Sequence, residues 1–322
     1  TSLMLLMKDI FMPFFFDGAP LPFFGEQTNT SDQEYGRWLS ERDLETELAY
    51  WKRALQEMPP FTPLPGWEKT TLAYSSRSYS LGLGAELTGA LNALQGALKA
   101  TVSVIMQAAW AAYLMKVENR RDFTYGLVSS GRESEVANSF QLTGGFINVL
   151  PIRAQAGEGM KFSELTAFIR DQQADALKNA HCSVKEIQTA IGRTEPLFDH
   201  LLNFHQFYSV PEGGGNGGQL PIEVQTYDNL SEDLCIYFIR RGKETVCEFS
   251  YNGSAFTEDA ISLLARGYQK ILEQVAGKDD IALEELECPT AKDFERMDML
   301  RGAAILRTVS NMRSIRALEG LD

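Results

Sequence analysis

Two apolar stretches of this chain carry polar residues that could take part in chemistry. The first is Tyr125-Gly126-Leu127-Val128-Ser129-Ser130-Gly131-Arg132, and the second is Gly145-Phe146-Ile147-Asn148-Val149-Leu150-Pro151-Ile152-Arg153. Apolar and aromatic runs of this length predict buried β-strands, with the polar residues placed where a strand ends. Ser129 and Ser130 would need a base within reach to act as nucleophiles, and the sequence offers no evident one. We therefore expect both serines to be structural.

The surrounding pattern predicts a mixed sheet covered by helices. A long helix is expected from Ser31, where Ser31 and Glu34 form a capping box, and a proline cluster at 59–65 ends it. Helices are further predicted over 85–99, 103–117 and 161–178, and strands over 76–83, 201–207, 221–227, 234–241 and 245–251. The helix at 103–117 is apolar on nearly every side, as a helix buried inside a domain would be. Strands and helices alternate without a regular βαβ repeat, which favours a mixed α/β fold.

The sequence gives little support for a metal site or a nucleotide-binding site. The four cysteines, at 182, 235, 247 and 288, are scattered without a C-x-x-C pair, so we expect reduced thiols in a cytoplasmic protein and no metal site. The glycine-rich run at 213–218 contains a formal G-x-G-x-x-G, but a predicted strand follows it instead of a helix. Nucleotide phosphates bind such glycines at a helix N-terminus, so a flexible loop is the better interpretation.

Composition limits the possible partners. With 322 residues, 44% hydrophobic content and 19 phenylalanines, the chain can bury one large core or two modest ones. Thirty basic residues against 43 acidic ones leave a net charge of −13, which argues against nucleic acid or an anionic membrane as a partner. No apolar run approaches the ~20 residues of a membrane span. The start also lacks the basic region and cleavage site of a signal peptide.

The two polar-ended stretches together resemble paired motifs of the condensation domains of nonribosomal peptide synthetases, Y-G-x-x-x-S-G-R and G-x-F-x-N-x-L-P-x-R. The residues at 34–38 and 47–52 are similar to the family's helix motifs Y-x-x-W and L-x-Y-W-K. The stretch at 196–204 is similar to its P-L-F-D strand, and Phe249-Ser250-Tyr251-Asn252 with the helix at 260–275 resembles its closing strand and helix. The resemblance covers roughly residues 1–278.

The resemblance implies a chloramphenicol acetyltransferase-like fold, of which this chain would hold the C-terminal half of a two-lobed, V-shaped domain and the end of the first lobe. We expect the end of the first lobe and a connecting helix at 1–66, the C-terminal lobe at 67–278, and a linker or tail at 279–322. The implied activity is acyl transfer. An amine on one carrier-bound substrate attacks the thioester of another, in nonribosomal peptide or hybrid polyketide biosynthesis.

The implied partners follow from that reaction. Substrates would arrive on the phosphopantetheine arms of carrier domains, with no cofactor or metal bound directly to this chain. Neighbouring synthetase domains and the first half of the domain would be further partners, and nucleic acid and membrane would not.

The family's catalytic motif, H-H-x-x-x-D-G, does not occur in this chain. The three histidines are His181, His200 and His205, and none has an aspartate four residues later. Residues 1–11 resemble the short helix that follows the motif in the family, so we expect the motif just before Thr1. On that reading no catalytic residue lies within the chain, and the chain alone is expected to be inactive.

The resemblance assigns supporting roles near the substrate tunnel to Arg132, Asn148, Ser129, Ser130 and Gly131. Arg132 would pair with the aspartate of the missing motif, or else be an arginine solvated at a strand end. Asn148 would donate to a reacting carbonyl, or else be a turn or strand-edge asparagine. His181 stands where the family often has H-x-x-x-P-F-E, but the proline and phenylalanine are absent, which favours a surface or loop histidine.

Three other functions stay open at this point. A terminal condensation-like domain that cyclises or releases a product fits the same motifs. A CoA-dependent acyltransferase of the same fold would act on a small alcohol or amine. The third is a non-catalytic scaffold that docks carrier or partner domains, which the absent histidine motif favours.

Overall fold

The computed structural model describes residues 32–68, 70–132, 146–205, 232–278, 280–289 and 292–294. Several predicted features lie outside these residues: the short helix at 1–11, the cap at Ser31, the glycine-rich loop, the strand at 221–227 and most of the tail. The described elements include seven α-helices and six β-strands, which are interleaved along the chain without strict alternation. The predicted mixed α/β class is confirmed.

The helix expected to run on from Ser31 is two helices in the structure. Helix α1 (Asp32–Glu41) ends before Asp43, and helix α2 (Leu44–Ala54) begins after it. Asp43 is the N-cap of α2, since its carboxylate accepts a hydrogen bond of 3.1 Å from the backbone N–H of Thr46. A cap of this kind satisfies one of the free N–H groups in a first turn and so favours a new helix start. Apolar residues recur at helical spacing on both sides of this break, so the sequence pattern predicts one continuous helix.

Arg153, the last residue of the second motif, holds the other end of α2. Its guanidinium donates to the carbonyls of Ala54, Gln56 and Glu57 at 3.4, 2.6 and 3.4 Å. The last carbonyls of a helix have no partners within the helix, and a positive charge there also complements the helix dipole. A motif arginine therefore fixes the position of the helix that carries the L-x-Y-W-K residues.

The prediction of a helix buried on all sides is confirmed. Helix α3 (Gly84–Leu98) leads into helix α4 (Val102–Glu118), which begins at an N-cap threonine, Thr101. Nearly every side chain of α4 from Val104 onward is buried, including Trp110 and Tyr113 at 0% exposure. Helix α7 (Glu258–Gly277) packs against it, where Tyr268 donates its hydroxyl proton to the Met106 carbonyl at 2.9 Å.

The chain divides into two compact units that interleave in sequence. The smaller unit comprises residues 1–58, 124–153 and 171–197, and the larger comprises 59–123, 154–170 and 198–322. The break at residue 58 coincides with the start of the proline cluster. The division expected at residues 66 and 278 follows the lobes implied by the family resemblance, and it stays a prediction.

The larger unit contains a mixed sheet. Its strands are β1 (Ser76–Gly82), β4 (His200–His205), β5 (Leu234–Arg241) and β6 (Glu244–Asn252), in the spatial order β1-β6-β5-β4. Strand β6 is antiparallel to both β1 and β5, whereas β4 and β5 are parallel. Asn252 closes β6: its side chain accepts from the Ser75 N–H and donates to Asp233, at 3.0 and 2.8 Å.

The two motif stretches form neighbouring strands, β2 (Asp122–Ser129) and β3 (Asn148–Gln155). Most residues in both are buried, as the apolar runs predict. Helix α5 (Phe162–Lys178) follows β3, and after a short loop comes helix α6 (Val184–Ala190), which starts with a capping box of Ser183 and Glu186.

Part of the expected linker or tail packs onto the larger unit. Phe162 donates its backbone N–H to the Ile281 carbonyl and Leu283 donates to the Met160 carbonyl, both at 2.9 Å. Ile281, Leu283 and Leu286 are buried. Compact structure therefore extends beyond the predicted limit at 278, at least through residues 280–289.

Across the described residues, no single helix is long and apolar enough to cross a membrane. Helices α3 and α4 pass that test of length and composition only as a pair, and they meet at an angle of 99°.

Candidate functional site

The S-G-R turn is organised by its own serines. The Ser129 hydroxyl accepts from the Gly131 N–H at 3.2 Å, and the Ser130 hydroxyl accepts from the Arg132 N–H at 3.3 Å. Hydroxyls bonded to the backbone two residues on stabilise a turn. Both serines thus have structural contacts in the turn, as the sequence suggested.

Gly131 has no room for a side chain. Its φ of +64° lies in the region that favours glycine. A Cβ atom at this position would lie 1.5 Å from the carbonyl oxygen of Phe146. The glycine of the first motif therefore allows its backbone to contact the phenylalanine of the second.

Arg132 is buried, with only 3% of its surface exposed. Its guanidinium carbon lies 4.3 Å from the centroid of the Phe146 ring. A cation over an aromatic face is attracted by the ring electrons, more strongly where water is excluded. The alternative of an arginine solvated at a strand end is wrong.

Tyr35, in helix α1, contacts the same group of residues. Its hydroxyl donates to the Gly131 carbonyl at 3.2 Å. Its ring meets the Phe146 ring edge-on, with centroids 4.6 Å apart and planes at 83°. Tyrosine, glycine, arginine and phenylalanine from three separate motifs thus form one cluster, the arginine cluster (Tyr35, Gly131, Arg132, Phe146).

Asn148 is committed to the backbone of a loop. Its amide nitrogen donates to the Ala180 carbonyl at 2.7 Å and to the Cys182 carbonyl at 2.8 Å. Its amide oxygen accepts from the Val149 N–H at 2.9 Å. An amide nitrogen has two protons to donate, and both are used. The expected donation from Asn148 to a reacting carbonyl is therefore not available in this arrangement, and the residue instead positions residues 179–183, the 179–183 loop.

Helix α2 holds the same loop from another direction. Trp51 is fully buried and donates its indole N–H to the Asn179 carbonyl at 2.9 Å. Glu47 Oε2 accepts from the His181 N–H at 3.2 Å and from the Cys182 thiol at 3.4 Å. Motif residues from two parts of the chain, α2 and the start of β3, thus fix one short loop.

Glu47 remains ionised despite its burial. Burial acts to raise its pKa, but hydrogen bonds from His181 and Cys182 and the charge of Arg42, 3.7 Å away, outweigh that effect and lower the pKa. For the Cys182 thiol, burial and the neighbouring Glu47 charge raise the pKa to about 12. Cys182 is therefore protonated at neutral pH and is not a reactive thiolate.

Of the surface or loop histidine that the sequence favours at 181, the loop position is right, but the imidazole is buried and not at the surface. His181 lies in the 179–183 loop, its side chain is 8% exposed and its Nδ1 is 3.7 Å from Glu47 Oε1. The Trp38 ring meets it edge-on, with centroids 4.7 Å apart. Its Nε2 atom is buried without a hydrogen-bond partner among the described residues.

Sequence reasoning assigned no role to Tyr35, Trp38 or Glu47. All three lie in the helices that carry the Y-x-x-W and L-x-Y-W-K motifs, so the signal was present as a resemblance. Helical spacing alone marks Tyr35 and Trp38 as part of an apolar stripe and Glu47 as a charged residue outside it. Their contacts with residues about 100 to 140 positions away are visible only in the fold.

His200 is a structural histidine of the larger unit. Trp110 donates its indole N–H to His200 Nε2 at 2.8 Å, and His200 Nδ1 lies 2.7 Å from Asp199 Oδ1. Since Nε2 accepts, the ring proton sits on Nδ1 and is donated to the carboxylate. His200 is 1% exposed. The side chain of His205 lies outside the described residues.

Metal ligands are not clustered in the described part of the chain, which contains no group of three or more histidine, cysteine, aspartate or glutamate side chains able to hold an ion.

The sequence matches the Condensation domain family over residues 2–300. This chain belongs to the condensation domain family. Tyrocidine synthase 2 of Brevibacillus parabrevis is 27% identical over an alignment of 274 residues, and the match covers 82% of this chain and 8% of that synthase. The chain is thus similar to one small part of a very long relative. The resemblance identified from the paired motifs is confirmed.

Solved structures share the fold. The first condensation domain of the CDA synthetase has a TM-score of 0.70 at 19% identity, covering 90% of this chain and 64% of that one. The X-domain from teicoplanin biosynthesis has a TM-score of 0.65 at 19% identity, covering 80% of this chain and 60% of that one. At these identities the likeness establishes the fold alone.

Proposed function

We propose that this chain forms part of a condensation site that transfers an acyl or peptidyl group between carrier-bound thioesters. One observation carries the proposal. Motif residues of this family form the arginine cluster, with Arg132 buried at its centre, and motif residues also hold the 179–183 loop. A guanidinium held in one place by the Phe146 ring suits a transfer site, which works by orienting the reacting groups.

In the proposed reaction the amine nitrogen of one substrate attacks the thioester carbonyl of the other. A C–N bond forms, the C–S bond breaks, and the amine proton finally resides on the released thiol. Both substrates are held on phosphopantetheine arms, so their carrier domains and neighbouring synthetase domains are the proposed partners. Holding amine and thioester together supplies much of the rate enhancement in such a site.

The histidine that would act near the attacking nitrogen is supplied from outside these 322 residues. H-H-x-x-x-D-G is absent from the sequence, His200 is bonded to Trp110 and Asp199 in the larger unit, and His181 is enclosed by Glu47 and Trp38. In the proposal, "the complete domain" means this chain together with the residues that carry the motif. Arg132 then pairs with the aspartate of that motif.

The test is single-turnover transfer by the complete domain between two loaded carrier proteins, with the intact mass of each arm as the readout. Arg132→Ala should abolish most transfer and lower the free energy of unfolding by about 3 to 5 kcal/mol, because one partner of a buried pair is lost. Arg132→Lys keeps the charge but not the planar fork, so it should recover stability more than rate. Transfer at the unaltered rate by Arg132→Ala would refute the role.

A second candidate is a scaffold that docks a partner protein without catalysis, which the absent histidine motif favours. The X-domain from teicoplanin biosynthesis, which shares this fold, has been solved as a complex with OxyB. A complete domain that binds loaded carriers but leaves both arm masses unchanged would favour this candidate over the first.

A further inference from the structure

Arg132 lies over the face of Phe146, and Tyr35 contacts that same phenylalanine and the residue preceding the arginine. We propose that Tyr35 is a positioning residue for Arg132, acting through the Phe146 ring and the Gly131 carbonyl. The proposal rests on the proposed function, since Arg132 matters to transfer only if the site carries out transfer.

The first connection runs through the backbone. The Tyr35 hydroxyl donates to the Gly131 carbonyl at 3.2 Å. The Gly131 carbonyl and the Arg132 N–H belong to the same peptide group. This N–H donates to the Ser130 hydroxyl at 3.3 Å. One peptide plane is thus held from both sides, which fixes where the Arg132 side chain leaves the backbone.

The second connection runs through the aromatic rings. The edge of one ring in the Tyr35–Phe146 pair meets the face of the other, with the ring planes at 83° and the centroids 4.6 Å apart. Arg132 Cζ is 4.3 Å from the Phe146 centroid. Edge-to-face pairs have a preferred geometry and so restrict ring rotation. A Phe146 ring held in this way presents a fixed face to the guanidinium.

The contact between Gly131 and Phe146 joins the two connections. A Cβ on Gly131 would overlap the Phe146 carbonyl oxygen, so the two backbones are as close as glycine permits. Tyr35 contacts both partners of this close approach. Loss of its hydroxyl would therefore loosen the turn that carries Arg132, while the contact between the Tyr35 and Phe146 rings remains.

The experiment is a double-mutant cycle in the complete domain with Tyr35→Phe and Arg132→Ala. Tyr35→Phe removes one hydroxyl and should slow single-turnover transfer about 10-fold at saturating carriers, the rate equivalent of roughly 1.4 kcal/mol. If Tyr35 acts through Arg132, the double variant should be no slower than Arg132→Ala alone. Tyr79→Phe is the matched control, because Tyr79 lies in strand β1 of the larger unit, where its hydroxyl accepts a 3.4 Å hydrogen bond from Ser262 of helix α7.

A second measurement does not depend on activity. The Arg132 side-chain N–H resonance should be displaced by the ring current of Phe146, and Phe146→Leu should abolish the displacement. Tyr35→Phe should shift the same resonance, and Tyr79→Phe should not. If the wild-type complete domain transfers nothing, the proposed function fails while this resonance still decides the positioning role.

Two results would overturn the inference. One is an Arg132 resonance that stays in place in Tyr35→Phe. The other is additive slowing in the double variant, which would give Tyr35 a structural role separate from the arginine.

Discussion

Replacing Glu47 by glutamine tests whether one carboxylate holds the 179–183 loop. The side chain keeps its size but loses its charge. Its new NH₂ group is a donor and faces two other donors, the His181 N–H and the Cys182 thiol, from which the carboxylate of the wild type accepts hydrogen bonds. Arg42, at 3.7 Å, also loses its ion-pair partner. We expect a less stable protein whose 179–183 loop is more mobile.

The size of the effect follows from the bonds lost. Hydrogen bonds to a charged group contribute about 1.5 to 3 kcal/mol each, and a glutamine retains one acceptor oxygen. The Arg42 pair is partly exposed and adds at most about 1 kcal/mol. Glu47→Gln should therefore lower the free energy of unfolding at pH 7 by about 2 to 3 kcal/mol.

The assay is urea unfolding of wild type and Glu47→Gln between pH 3 and pH 7. The pKa of Glu47 is lowered in the folded state, so its stabilisation is fully present above the unfolded pKa of about 4.3 and is lost as the pH falls through the folded pKa. The difference between the two proteins should be largest at pH 7 and should shrink in acid. Glu45→Gln is the matched control, since Glu45 lies in the same first turn of α2 but is exposed.

Equal losses in Glu47→Gln and Glu45→Gln would show that only the helix dipole is involved. A difference that stays constant down to pH 3 would show that the charge of Glu47 has no part in holding the loop. Either result would refute the argument.

Three further predictions concern stability. Gly131→Ala should lower the free energy of unfolding by at least about 3 kcal/mol, because backbone strain and the overlap with the Phe146 carbonyl both destabilise the variant. Gly84→Ala, at a similar φ of +68° but with open space around it, should lower it by about 1 to 2 kcal/mol. Equal midpoints of the two variants in thermal unfolding would contradict this. Asn148→Asp should destabilise more than Asn148→Ala in urea, because a carboxylate would face two carbonyl oxygens, and the reverse order would argue against the assigned bonds. Burial raises the pKa of Glu118 to about 8 in the folded protein, above the unfolded value of about 4.3. Compared with Glu118→Gln, the wild type should therefore lose stability as the pH rises from about 4.3 to 8. Stability profiles of the two proteins that stay parallel over this pH range would show that the pKa is not raised.

The regular elements could be predicted because their signals are local. The helix expected at 103–117 is α4, Val102–Glu118, and the helix expected at 161–178 is α5, Phe162–Lys178. Apolar periodicity reports which face of an element is buried, and that depends on neighbours a few residues away. The break at Asp43 was missed because a single capping side chain decides it against a continuous stripe.

The site was only half visible in the sequence. The motifs identified Arg132 and Asn148, but their contacts depend on Phe146, Tyr35 and the 179–183 loop. Whether an asparagine donates to a substrate or to a loop depends on which carbonyls the fold brings within 3 Å of it. Sequence spacing carries no such information, so the role first expected for Asn148 had to be revised.

The most direct test of the account compares these 322 residues with the complete domain in the single-turnover assay. The account predicts that the complete domain moves the donor acyl group to the acceptor arm, so the acceptor gains its mass and the donor arm returns to the free thiol. The 322 residues alone should leave both arm masses unchanged. Transfer by the 322 residues alone at the rate of the complete domain would contradict the account, because the catalytic group would then lie within these 322 residues.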